Sequence, residues 1–137
     1  MIRRLVVAMA VVAATIAPRP AVAADERPRF TACAAVSATA HRCYTGGVTY
    51  EVGRTVFLRG RITPARPGFG DVVRRAPQGR RFVPVGTIGI GTDGRIRWSW
   101  TPRRRDVDRA EPYLFAFRIA GVGRSSVVEV WVVPEDY

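Results

Sequence analysis

From residue 25 onward the chain alternates apolar and polar positions at period two, in short runs cut roughly every 8 to 15 residues by glycine and proline. No stretch of that region sustains the 3.6-residue period of an amphipathic helix, so the pattern predicts an all-β protein. The cleanest run is Thr55–Ile62, where Val56, Leu58 and Ile62 point one way and Arg59 and Arg61 the other. Such a strand has one face in a core and the other in water. The run Arg95–Trp100 repeats the arrangement, with Ile96, Trp98 and Trp100 inward and Arg95, Arg97 and Ser99 outward. In Tyr113–Ile119 the aromatic residues Tyr113, Phe115 and Phe117 share a face with Ile119, which leaves Arg118 outward. The last run, Val127–Val133, opposes Val128, Val130 and Val132 to Glu129 and Trp131.

Less regular strands are predicted at 48–52, 71–76 and 82–88, with an alanine-rich candidate at 34–38. Pro84 lacks a backbone N–H, which argues that its strand lies at an edge or carries a bulge. Turns are expected at Pro64–Gly68 and at Pro77-Gln78-Gly79. Thr92-Asp93-Gly94 is the sharpest hairpin signal, because Asp-Gly suits a tight type I′ turn. About seven strands result, enough for two packed antiparallel sheets. Residues 25–137 have the length of one domain.

The motifs Leu58-x-Gly60-Arg61-Ile62-x-Pro64, Thr92-Asp93-Gly94-Arg95-Ile96, Tyr113-x-Phe115-x-Phe117-Arg118 and Ser125-x-Val127-Val128-x-Val130 carry a resemblance. Together they make the span Leu58 to Val133 resemble the immunoglobulin-like β-sandwich modules of secreted actinobacterial proteins. The resemblance implies an immunoglobulin-like antiparallel β-sandwich acting as a spacer, adhesion or binding unit. Fold likeness of this kind says little about the particular role.

The first residues differ in kind from the rest. Arg3 and Arg4 precede an apolar run from Leu5 to Ala17, and Ala21-Val22-Ala23 supplies an A-x-A site. That predicts a signal peptide over 1–24, removed to expose Ala24 or Asp25. The run is too short to span a bilayer. Ile2 and Leu5-Val6-Val7 around the arginine pair favour Sec over twin-arginine export, so the protein is expected outside the cell. Cys33 and Cys43 are the only cysteines. In an exported chain such a pair reads most simply as a disulfide, since metal or redox pairs need further ligands or a C-x-x-C spacing.

The formal net charge of the whole chain is +11. Arg3, Arg4 and Arg19 leave with the signal segment, so the charge falls to about +8, still enough to attract polyanions. Every one of the 22 basic residues is arginine, and asparagine is absent too. Both missing residue types have A/T-rich codons, so a GC-rich genome, such as that of an actinobacterium, accounts for part of the bias. What composition does not account for is phase: Arg59, Arg61, Arg95, Arg97 and Arg118 all stand outward on their strands. If those strands share a sheet, the guanidinium groups form one face for an anionic polymer.

No residue set commits the chain to a reaction, and no cofactor or metal set is legible. His41, the one histidine, reads as a surface residue. Asp106, Asp108 and Glu111 resemble a fragment of a calcium loop, yet Arg103, Arg104, Arg105 and Arg109 among them favour local neutralisation. The leading expectation is therefore a non-enzymatic exported domain whose partner is a cell-wall polymer or another exported protein. Two alternatives accompany it: an inhibitor or small-ligand carrier using the Cys33–Cys43 loop, and a polyanion binder using the arginine face.

Overall fold

A computed structural model of the chain describes residues 27–107 and 109–135. The expected signal peptide at 1–24 lies outside the described residues, as do Asp108 and the last two residues. The alternating runs become strands: β1 (Arg29–Ala35), β2 (Val48–Glu51), β3 (Val56–Thr63), β4 (Gly68–Arg75) and β5 (Val83–Ile90). The series continues with β6 (Arg95–Trp100), β7 (Glu111–Ile119), β8 (Gly123–Arg124) and β9 (Val128–Val133). A short 3₁₀ turn, Arg104–Asp106, interrupts the charged segment between β6 and β7. Among the described residues nine strands stand where about seven were expected. Two-residue β8 is too short to carry a period, and β1 begins five residues before the alanine-rich candidate at 34–38.

Two sheets pack face to face. The smaller has the order β1-β3-β6, and the larger β2-β9-β7-β4-β5, with β8 paired to β7. Consecutive strands therefore often lie in different sheets. Pairing is antiparallel except between β2 and β9, which run parallel with Val48 opposite Val130. This corrects the all-antiparallel expectation: β2 reaches the larger sheet by a crossover from β1, so no tight turn dictates its direction.

A second correction concerns Thr92-Asp93-Gly94. The turn forms, with the Gly94 N–H donating to the Gly91 carbonyl at 2.9 Å and the Asp93 carboxylate accepting the Arg95 N–H at 3.0 Å. It is not type I′, because that turn needs positive φ at both central residues and Asp93 has none. Gly94 itself has φ +78°, and a Cβ there would lie 2.3 Å from the Ile62 carbonyl oxygen. The turn is thus clamped against the end of β3 and carries the chain from the larger sheet to the smaller. Its flanking strands diverge rather than form a hairpin ladder.

The core is a single cluster between the sheets. From β3 come Val56, Leu58 and Ile62, from β7 Tyr113, Phe115, Phe117 and Ile119, and from β9 Val128, Val130 and Val132, all buried as their period requires. Each large buried side chain contributes about 1.5–3 kcal/mol relative to exposure. Gly60 occupies an inward position on β3 because a Cβ there would lie 2.6 Å from the Phe117 ring. Trp98 and Trp100 are half-buried at the margin and pack on Phe115, with centroids 5.9 and 5.2 Å apart. Pro84 sits on edge strand β5 beside a register shift at Val72/Val73, as its missing N–H demands.

Candidate anion-binding groove

The register of the smaller sheet decides where its arginines meet. On its outer face Arg59 stands opposite Arg97, and Arg61 opposite Arg95, in consecutive outward positions of β3 and β6. Like charges directly opposite one another weaken a sheet. Here two such pairs lie side by side. Cys33 and Thr31 of β1 complete the rows, facing Arg59 and Arg61 respectively.

Cys33 is disulfide-bonded to Cys43 with a Cα–Cα distance of 5.4 Å, within the ordinary range. Closing a loop of this length stabilises the fold by on the order of 3 kcal/mol in the chain-entropy model. Tyr44 then returns along the free edge of β1, exchanging backbone hydrogen bonds with Ala34 at 2.7 and 2.8 Å. Between these fixed ends, residues 36–42 fold over the sheet.

Arg59 holds that loop in place. Its guanidinium donates to the carbonyl oxygens of Ser37 at 3.2 Å and Ala38 at 2.9 Å, and to that of Ala40. Three of its five N–H donors are thus spent inside the protein, and its charge stays. At the root of the loop, the Tyr50 hydroxyl donates to the Ala35 carbonyl at 2.8 Å. Burial pushes the Tyr50 phenol above its ordinary value.

Beneath the loop lies a groove of about 610 Å3 whose walls include Thr39, His41, Arg61, Arg95 and Arg97, with Arg59 at its back. No acidic side chain lines it. Arg95 has an exposed pair with Asp93, Nε to Oδ2 3.6 Å, which is worth little in water. Arg61 and Arg97 have no ion-pair or hydrogen-bond partner among the described residues. A set of donors left unsatisfied by the fold, in a concave site with positive walls, is equipped to take phosphate, sulfate or carboxylate groups.

The five outward arginines do not share one face. Arg118 belongs to β7 in the larger sheet, opposite Asp71, to whose carboxylate it donates at 3.3 Å. The alternation on β7 fixes its phase, while the pairing of β7 with β4 and β9 takes it to the other side of the sandwich. That corrects the expected five-arginine face to four. On the larger sheet's outer face Phe82 lies under Arg124, 4.4 Å from guanidinium carbon to ring centroid, and near Arg75 at 5.7 Å. The Trp131 indole N–H donates to Glu129 at 2.7 Å.

The use of Arg59 as a strut escapes a reading by period, whereas the outward position of Phe57 follows from it. Phe57 is half-buried on the outward phase of β3, opposite Ala35 and Ser99, next to the Arg59–Arg97 row. Its apolar character at a polar-phase position is the signal that marks it. In the charged segment, Arg104 pairs with Glu135, and Arg109 with Glu111 at 2.7 Å. Among the described residues no group of three metal-ligating side chains gathers, and no helix is long and apolar enough to cross a membrane. Compared with known proteins, the chain matches no family model and no curated sequence.

Proposed function

We propose that this chain is an exported, non-enzymatic, immunoglobulin-like module that binds an anionic polymer in the groove beneath its disulfide loop. The immunoglobulin-like reading is supported by the division of strands: β3 and β6 lie in one sheet while β4, β7 and β9 lie in the other. The leading strands β1 and β2 join opposite sheets, each as an edge strand. Export is supported by the signal-like segment and by a disulfide, which persists in oxidising compartments. N-terminal sequencing of protein recovered from the medium of an expressing culture is expected to begin at Ala24 or Asp25; retention of Met1 excludes export by that route.

The observation that carries the binding reading is the pair Arg61 and Arg97. Both are free in an acid-free groove, and the like-charge register around them costs stability that binding an anion recovers. The test is elution from a heparin column. Arg61→Ala/Arg97→Ala is expected to elute at much lower salt than an Arg75→Ala/Arg118→Ala protein of equal net charge. Equal elution of the two excludes the groove and leaves only general charge.

A second reading, a protein partner held by the loop itself, is favoured by the exposure of Val36 and Tyr44 at the two ends of the loop. Val36→Asp is expected to abolish capture of such a partner and leave heparin elution nearly unchanged.

A further inference from the structure

On the groove reading above, we propose that the polymer is single-stranded nucleic acid, with phosphates on Arg61 and Arg97 and a base stacked on Phe57. A second, smaller pocket of about 220 Å3 opens beside the arginine groove, with Ala38, Phe57 and Ser99 among its walls together with Arg59 and Arg97; Trp98, whose ring packs inward on Phe115, also borders it. The two cavities share the wall residues Ala38, Arg59 and Arg97, so they adjoin, the larger rich in arginine and the smaller carrying Phe57.

The composition of the two cavities selects their ligand. A ringless polyanion satisfies the arginines and leaves the smaller pocket empty. A carboxylate-bearing sugar polymer does the same. A chain that alternates phosphates with flat rings fills both cavities, and aromatic stacking beside a positive groove is how single strands are held without regard to sequence. A duplex offers no ring face, because its bases are stacked on one another and paired. Along β3, Phe57 and Arg61 are four residues apart, roughly 13 Å at strand rise, which is room for a few nucleotides. Arg59, held by three loop carbonyls, stands between them as a fixed positive charge. The pocket presents only the Ser99 hydroxyl and the Arg97 guanidinium as polar side-chain groups free to read a base edge, so low base preference is expected.

The test uses the purified full-chain protein, a fluorescein-labelled dT12 followed by anisotropy, and inorganic polyphosphate of matched charge as a ringless competitor. Phe57→Ala is expected to weaken dT12 about tenfold, in line with the loss of one stacked base, and to leave polyphosphate within twofold. Arg61→Ala/Arg97→Ala is expected to weaken both ligands and to lower the salt slope for dT12 by about 1.4, two phosphate contacts on a single strand. Phe57→Trp keeps the stacking surface and is expected to retain dT12 binding. Should Phe57→Ala fail to fold by circular dichroism, Phe57→Leu carries the same test with bulk preserved.

If Phe57→Ala affects both ligands alike or neither, the nucleic-acid assignment falls while the groove stands. Tighter binding of polyphosphate than of dT12, with Phe57 silent, assigns the groove to a ringless polymer such as a polyol phosphate. If the double arginine variant binds both ligands as the unaltered protein does, the groove reading itself falls.

Discussion

On the outer face of the smaller sheet, Arg61 and Arg97 stand in a groove without acidic partners. On the larger sheet, by contrast, the arginines of β4, β7 and β8 each meet a carboxylate or a ring. On its outer face Arg118 meets Asp71, and Arg75 and Arg124 meet Phe82; Arg74, on the inward phase opposite Phe115, lies over Trp100 and Tyr113 at 5.4 and 5.6 Å. The residue type is the same on both sides, and register makes the difference. Asp71 falls opposite Arg118, whereas arginine falls opposite arginine between β3 and β6. Composition alone does not explain why arginine stands opposite arginine on one face and opposite aspartate on the other. The larger sheet also buries Val73 and Ala116 on its outward phase, both 1% exposed. The groove on the smaller sheet is lined by Arg59, Arg61, Arg95 and Arg97, with no acidic side chain among its walls.

The comparison breaks most severely if the disulfide is removed. Cys33→Ser/Cys43→Ser is expected to cost about 2–5 kcal/mol in denaturant unfolding and to free the loop that roofs the groove. Hydrogen exchange should then rise in residues 31–45 while β4, β7 and β9 keep their protection. Uniform loss of protection would show that the two sheets are not separable in this way.

Arginine truncation sharpens the contrast directly. Arg59→Ala removes three charge-assisted hydrogen bonds to loop carbonyls and is expected to cost about 1–3 kcal/mol. Arg118→Ala breaks an exposed pair and is expected to cost under about 0.5–1 kcal/mol. Chemical denaturation of the two variants side by side decides it. Equal costs would mean that Arg59 is no more of a strut than a surface charge.

Tyr50 ties the two sides together, since it sits on β2 of the larger sheet and donates to Ala35 at the end of β1 in the smaller. Its phenol is raised by burial above 10.0, so the folded protein keeps a proton that the unfolded chain has released. Stability is therefore full below about pH 10 and falls as pH rises through the folded value. Tyr50→Phe is expected to cost about 1 kcal/mol at neutral pH and to flatten that alkaline decline. An unchanged alkaline slope in the variant would assign the decline to other groups.

Much of this architecture is legible along the chain. The inward sets of β3, β7 and β9 read directly from the alternation, because a pleated strand sends successive side chains to opposite faces. Arg59, Arg61, Arg95 and Arg97 read as outward for the same reason, and Pro84 announced an edge. The sequence left other things open for equally physical reasons. β8 has no period to show, β1 is built from small residues, and a guanidinium on the outward phase looks the same whether it is bound to loop carbonyls or free.

By itself, then, the sequence determined which residues of β3, β6, β7 and β9 face the core, where most strands lie, and which two cysteines were there to be joined. Tertiary structure decided which strands share a sheet, and with that whether a given outward arginine meets an arginine, an aspartate or a ring. Period two is local and fixes phase relative to the strand's own backbone. Pairing depends on partners tens of residues away, here Leu58 against Trp98 in one sheet and Phe115 against Val128 in the other. The turn at Thr92-Asp93-Gly94 shows the limit most clearly, since its local chemistry was right for a tight turn and silent on the fact that its two strands part into different sheets.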